Sequence, residues 1–276
     1  DDETTAKENI MQIDKVNYYS LEAAMEYCGY SQFKDFCGNG KNTGCEAHAL
    51  AVLKGEWKDQ PTQALLEGQY VDAYFSGEFE QYVETHRDII FNSRGNKYAH
   101  YIKADKAIER AEKDKLFMQF LSGEPQRIFT AELFDMNWKI KTDFYHDNKC
   151  VVDLKYIKDI NETKFVKDIG HISWIEYYGY DIQGAIYQKV IELNTGKKLP
   201  YFICAIDKGE EPNIEIIQIP NNHLEYTLSL IEYQMKRYKE VKYENAIPDR
   251  CEKCAYCKHT KILTHPIMLE ELTGVV

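Results

Sequence analysis

The sequence predicts an α/β protein: a mixed β-sheet flanked by helices, preceded by a helical first part and followed by a cysteine-rich end. Three observations carry this. Apolar residues recur at helical spacing through most of the first 125 positions. From Arg127 the text switches to β-branched and aromatic residues alternating with polar ones, broken by Asp- and Asn-bearing turns. A helical segment then separates this run of strands from the next, and the resulting order αβββαββα implies a mixed sheet.

The chain has 276 residues, enough to bury a substantial core without needing disulfides or a metal. We read it as one domain in three stretches: a mainly helical part (1–125), an α/β core (126–245) and a Cys-rich segment (246–276). Short helical patches over Leu21–Trp57 surround "CGNGKNTG", which lacks the Lys-Ser/Thr ending of a phosphate loop and reads as a plain turn. Thr62–Tyr82 sets Leu65, Leu66, Tyr70, Tyr74 and Phe75 at helical spacing, and Ala104–Leu121 is patterned alike. "RIFTAELF", "WKIKTDFY" and "KCVVDLKYI", joined by "DMN" and "HDN", form an antiparallel meander of three strands. Trp174–Leu193 is an amphipathic helix closed by Gly196. "PYFICAID" and "NIEIIQIP" supply two further strands, and Asn221–Tyr243 is a helix opened by an Asn cap.

Charged residues make up 29% of the chain and the hydrophobic set 44%, ordinary values for a globular protein. A net charge of -11 argues against the broad basic surface of a non-specific nucleic-acid coat. It leaves room for a DNA enzyme, because a carboxylate-rich site recruits divalent cations where positive charge is needed. No apolar run approaches the roughly 18 residues of a membrane span, and "DDETTAKENI" has neither the basic flank nor the apolar core of a signal peptide. The eight cysteines, three of them in one cluster, fit a reducing compartment and a metal site better than a disulfide framework. Cys150 and Cys204 stand in apolar strands and read as small buried hydrophobes.

One stretch breaks the pattern of its own strand. In "KTDFYHDNKCVVDLKYIKD", Asp153 and Lys155 project from one face of a Val/Leu-rich strand while Leu154 points to the other. Asp143, ten positions earlier, can be brought beside Asp153 by the "HDN" turn. Two carboxylates that close repel unless a cation lies between them. Hard oxygen ligands beside a lysine suit Mg²⁺ far better than zinc, with the ammonium free to orient an attacking water. For an isolated Asp-x-Lys the ordinary reading is a surface salt bridge. Three features favour the site: Gln183 and Tyr187 one helical turn apart, Asp72 on an earlier helix, and Glu132 on the strand before Asp143.

The ordered set Asp143, then Asp153-Leu154-Lys155, then Gln183-x-x-x-Tyr187 resembles the PD-(D/E)xK nuclease superfamily in its RecB-like branch. The RecE-type group of phage exonucleases, similar to exodeoxyribonuclease VIII, is the nearest likeness, also in "YDIQGAIYQ…NTGKKLPYFI". The resemblance implies a restriction-endonuclease-like core in which Asp143, Asp153 and the Leu154 carbonyl hold Mg²⁺ or Mn²⁺ and Lys155 positions water. Gln183 and Tyr187 would support the site and contact DNA. Related nucleases carry a His one turn after a Gly on the first-motif helix; here Gly68 is followed by Asp72, which with Glu132 is a further candidate ligand. The implied activity is exonucleolytic hydrolysis of linear duplex DNA from the 5′ end, in a bacterial host cytoplasm. It implies a single-strand annealing partner and a homo-oligomer as well. A non-catalytic DNA-binding scaffold and an iron-sulfur nuclease of a CRISPR or repair system are the alternatives.

"RCEKCAYCKHTK" places Cys251, Cys254 and Cys257 too close together, in too polar a text, to be explained by packing. A metal site needs a fourth ligand, for which His259 is the local choice. Some RecB-like nucleases resemble this arrangement, with one N-terminal and three C-terminal cysteines around a 4Fe-4S cluster. By that likeness Cys45 is the fourth ligand, ahead of Cys37 and Cys28. Spacing alone leaves Zn²⁺ open. The 21 tyrosines show no basic interleaving and read as core and half-buried surface; His48 and His100 each stand alone and read as satisfied or surface residues. No nucleophile elbow or dinucleotide fingerprint is present.

Overall fold

In the computed structural model, residues 11–39 and 44–269 are described. Residues 40–43 of the Gly-rich stretch, and "DDETTAKENI" itself, lie outside them. The first part is helical: α1 (Leu21–Glu26), α2 (Tyr30–Cys37), α3 (Glu46–Leu53), α4 (Gln63–Ser76), α5 (Phe79–Thr85), α6 (Arg87–Ile90), α7 (Ala99–Glu112) and α8 (Lys115–Phe120). The single helix expected over Thr62–Tyr82 is two, because Gly77 takes the left-handed conformation (φ 82°) and ends α4 there. Likewise, the helix expected over Ala104–Leu121 starts earlier, at Ala99, and Asp114 caps a separate α8 through the Phe117 amide.

The strands are β1 (Glu124–Pro125), β2 (Ile128–Glu132), β3 (Asn137–Lys141), β4 (Phe144–His146), β5 (Cys150–Ile157), β6 (Thr163–Val166) and β7 (Gly170–Ser173). After α9 (Trp174–Tyr178) and α10 (Tyr180–Thr195) come β8 (Tyr201–Asp207), β9 (Ile214–Ile219), α11 (Asn221–Lys242) and α12 (Ala255–His259). The main sheet has the order β1-β4-β5-β8-β9. Its central pair, β5 and β8, is parallel, and α9 and α10 supply the crossover; the other pairs are antiparallel. A mixed sheet flanked by helices is thus what the pattern of elements predicted.

The meander differs in one respect. "WKIKTDFY" is two strands: β3 pairs with β2 in a separate ribbon, and β4 joins the main sheet. Thr142 bridges them, with its amide and hydroxyl both donating to the Arg127 carbonyl. Asp143 therefore sits at the corner between two sheets. The helix expected over Trp174–Leu193 is also broken, by Gly179 at φ 76°. Asn221 is the first residue of α11 rather than its cap, and its side chain accepts from Gln188. Gly196 (φ 70°) does close α10.

Apolar side chains alternate across the central strands. Val151, Ile157, Tyr201, Ile203 and Ala205 pack toward α2, α10 and α11. Val152, Leu154, Cys204 and Ile206 pack toward α4 and α7. A strand covered on both faces should be a continuous apolar run. Asp153 and Lys155 occupy two positions of the α10 face and break it.

Candidate active site

Asp153 is 1% exposed at the centre of β5. Its Oδ1 accepts from Gln183 Nε2 of α10 at 2.7 Å, and its Oδ2 lies 2.5 Å from Lys155 Nζ. Period-2 alternation places that lysine on the same face, and its ammonium stands 4.8 Å over the Tyr180 ring. The β4–β5 register pairs Phe144 with Val152, so Asp143, one step before β4, falls opposite Asp153. Freed from the ladder, Asp143 turns its Oδ2 to the Leu154 amide at 2.8 Å. Asp72 reaches the same place from α4: Gln126 Nε2 donates to its Oδ2 at 3.4 Å, while its buried Oδ1 has no hydrogen-bond partner.

The charges explain why these groups are perturbed. Burial pushes the Asp143 carboxyl well above the usual carboxylate range; Asp153 and Asp72 push it further, and Lys155 with the Leu154 amide only partly offset them. Burial likewise raises Asp72 to about 6, against the pull of Lys155 and Lys141 and with a smaller push from Asp153 and Glu78. Burial alone would lower Lys155, but Asp153 and Asp143 outweigh it and hold the ammonium charged. Three acids, Asp153 buried and Asp72 and Asp143 half-buried, thus share Lys155, which is paired with Asp153, with a weaker pull from Lys141 on Asp72. The excess of negative charge, the all-oxygen donor set and the unpartnered Asp72 Oδ1 fit a hard divalent cation.

Of the residues singled out in the sequence, Asp72, Asp143, Asp153, Lys155 and Gln183 come together. Tyr187 is buried one turn beyond Gln183, interacts with its side chain, and senses Asp143 and Asp153. Leu154 contributes its amide to Asp143 and its side chain to the core. Glu132 does not join them. It pairs with Asn137 at the far end of the β2–β3 ribbon, whereas the Asp143 end is at Ile128, about 13 Å along the strand. Its side chain is exposed, so the expectation that it serves as a ligand is corrected.

The sequence reading missed three neighbours. Gln126, held at φ 55° just before β2, donates its amide to the Asp143 carbonyl and its side chain to Asp72. Tyr201 on β8 is fully buried, and its hydroxyl proton is retained because burial and the nearby Asp153 both oppose ionisation. Tyr180 carries the Lys155 ammonium. Of the three only Tyr201 follows from a strand register, the parallel one that sets it against Val151.

The cysteines form a second centre. Among the described residues, one group of three or more His, Cys, Asp or Glu side chains brings its ligand atoms within 4.8 Å of one another: Cys45, Cys251, Cys254 and Cys257. Sγ–Sγ separations are 3.5 Å for Cys45–Cys257, 3.8 Å for Cys254–Cys45 and 4.0 Å for Cys251–Cys257, well beyond a disulfide bond. Burial opposes the Cys251 thiolate, yet the amides of Lys253 and Cys254 donate to its sulfur and bring its pKa down to about 6. His259 is turned instead onto Trp57, 5.4 Å between rings, and Cys28 and Cys37 lie in or against the main core. Glu46, next to Cys45, holds Arg237 with two hydrogen bonds and the Asp249 amide with a third, fastening the C-terminal segment to α3. His48, expected to be satisfied, pairs with Asp59 at 2.9 Å.

A strand-borne Asp-x-Lys on the face of a mixed sheet, an Asp at the preceding corner and a Gln-bearing crossover helix make up the PD-(D/E)xK nuclease fold and its motif. Residues 29–260 match the family described as a PDDEXK-like domain of unknown function (DUF3799), and the chain belongs to that family. It is similar to a solved structure from Eubacterium rectale named "Putative exonuclease", with 42% identity and a TM-score of 0.93 over 96% of this chain and 100% of that one. No curated protein matches.

Proposed function

We propose that this chain is a divalent-metal-dependent exodeoxyribonuclease. The observation that carries it is the division of one buried carboxylate: Asp153 gives one oxygen to Gln183 and the other to Lys155, with Asp143 opposite in register. Asp72, Asp143, Asp153 and the Leu154 carbonyl would hold Mg²⁺ or Mn²⁺, which when bound polarises the phosphoryl oxygens and offsets developing charge. The chain's own residues do the rest. Gln183 fixes the Asp153 plane so that its second oxygen faces Lys155. Lys155, kept charged and seated over Tyr180, donates to the attacking water and fixes its approach. Gln126 holds Asp72 and the Asp143 backbone at the corner of the two sheets. Among the described residues no helix is long and apolar enough to cross a membrane.

The resemblance to RecE-type enzymes extends this reading to linear duplex ends, 5′-to-3′ direction and a product strand handed to an annealing protein. The test is linear duplex labelled at either end, incubated with Mg²⁺ and wild type, Asp153→Ala or Lys155→Ala. Wild type should release the 5′ label at once in short products and shorten the 3′-labelled strand progressively, and each variant should be slower by roughly 10²-fold or more. Intact DNA with wild type, or equal cutting by the variants, would sink the catalytic reading and leave the scaffold alternative.

For the cysteine centre we infer a single tetrahedral Zn²⁺. Four thiolates at the ~2.3 Å zinc–sulfur bond length stand about 3.8 Å apart, and the three separations above bracket that value. A 4Fe-4S cluster puts its own body between the sulfurs and needs a wider cage. Colourless protein with one zinc per chain supports this; a brown protein carrying iron overturns it.

A further inference from the structure

The tyrosines that lacked basic neighbours in the sequence acquire them in the fold. Gly179 is left-handed, and a side chain there would come within 3.0 Å of Asn39 Cβ, so α9 and α10 meet in a tight elbow. The elbow carries Tyr177, Tyr178 and Tyr180 as consecutive edge-on or tilted rings, with centroids 5.1 Å and 6.1 Å apart. Two lysines stand beside them and a third stands over the neighbouring Tyr30. Lys155 stands over Tyr180 at 4.8 Å, Lys164 of β6 stands 5.7 Å from Tyr177 and 5.9 Å from Tyr178, and Lys34 stands 5.2 Å over Tyr30. Tyr30 in turn donates its hydroxyl to the Tyr178 carbonyl at 3.3 Å, and Asn39 donates to the Tyr177 carbonyl. The elbow is therefore fixed from behind while Tyr178, 38% exposed, faces outward. Beside it lies a cavity of about 310 Å³ lined by Tyr178, Lys34, Asn39 and His48, and also by Asp35 and by Cys45, Cys251 and Cys254 of the cysteine centre.

We propose that the elbow is a stacking platform for an unpaired DNA strand, leading from the Asp153–Lys155 site over Tyr180 and Tyr178 to the cavity at Lys34. This rests on the nuclease reading and names the form in which substrate meets the site. Every base has a π-face, so rings at this spacing hold a strand without reading its sequence, and the Lys164 and Lys34 ammonium groups beside them meet its phosphates. The acids nearby are each partnered: Asp153 pairs with Lys155 at 2.5 Å and Asp181 with His223 at 3.0 Å. Glu162 is shared by Lys164 (2.7 Å) and Lys158 (3.7 Å), leaving one net positive charge, and Asp35 stands beside Lys34 with His48. Duplex DNA presents its stacked bases edge-on and cannot use the rings.

The experiment measures fluorescence anisotropy of a labelled 12-nucleotide single strand and of the matching blunt duplex, without added divalent metal. Wild type is compared with Tyr178→Ala, Tyr178→Phe and Phe165→Ala. Phe165 is 68% exposed on β6 but pairs with His171 on the hairpin face opposite Lys164, so it serves as the off-platform aromatic. Tyr178→Ala should weaken single-strand binding roughly tenfold with duplex binding within about twofold of wild type, while Tyr178→Phe should restore wild-type affinity. Unchanged single-strand affinity in Tyr178→Ala, an equal loss in Phe165→Ala, or an equal loss on duplex each overturns the platform. A wild type that binds as expected but leaves duplex uncut with Mg²⁺ refutes the nuclease reading instead.

Discussion

Gln183 shows how one residue can decide whether a buried acid is a liability or a tool. An unpaired carboxylate at 1% exposure would bear the full desolvation cost of its charge. The Gln183 amide at 2.7 Å and Lys155 at 2.5 Å make the anion affordable. Gln183→Leu keeps the volume and removes one donor, leaving Asp153 Oδ1 unsatisfied at a cost of about 1–3 kcal/mol. An Asp153 carboxylate no longer held in its plane is a poorer cation ligand. The expected outcome is a Mg²⁺ requirement raised by roughly tenfold, from about 1.4 kcal/mol of lost binding, read as the concentration for half-maximal cleavage. A rate loss with no change in that concentration would show that Gln183 serves the substrate and not Asp153.

At the scale of elements, α10 bears on the sheet through Gly184. A Cβ built there meets the Tyr201 ring at 3.0 Å and Leu224 Cδ2 at 3.1 Å. Helix propensity alone favours Gly184→Ala by roughly 1 kcal/mol. Packing opposes it, because Tyr201 and Leu224 are 0% and 1% exposed and cannot yield. Overpacking costs about 1–3 kcal/mol, so the variant should melt a few degrees lower and lose activity as Gln183 is lifted from Asp153. A higher melting temperature would mean that the ring gives way. This contact also marks the limit of what the sequence discloses. Period-2 alternation and the "HDN" turn were enough to put Asp143, Asp153 and Lys155 together, and i,i+4 spacing aligned Gln183 with Tyr187. The Tyr180 platform, Tyr201 and Gln126 depend on a parallel β5–β8 register, a left-handed Gly179 and a sheet corner at Thr142. Those are set by tertiary packing, and no local pattern encodes them. Glu132 failed for the same reason: its strand was read correctly, but the ribbon to which that strand belongs points away from the site.

At the scale of the whole molecule, the C-terminal end of α11 is tied to the first helices by a buried lysine. Lys242 is 2% exposed and donates to the carbonyls of Ala24 and Tyr27 at 3.0 Å each and to Gln32 Oε1 at 3.3 Å. None of these acceptors is charged. Burial lowers its pKa to about 8, Cys28 pulls the other way, and Lys139 adds to the lowering. In the unfolded chain the same amine titrates near 10.4. Between about pH 8 and 10.4 the unfolded state therefore holds a proton that the folded state has released, and this group's contribution to stability rises with pH across that window. Below pH 8 both states are protonated and the charged, desolvated lysine is a constant penalty. Cys28, whose thiol burial pushes up to about 12, acts in the opposite sense above pH 9, so the informative quantity is a difference between proteins. Urea unfolding of wild type and Lys242→Met at pH 7 and pH 9.5 isolates it. Wild type should gain stability relative to the variant by about 1–2 kcal/mol between the two pH values. A difference that stays flat would place a counter-charge at Lys242 in solution and refute its burial as a lone amine.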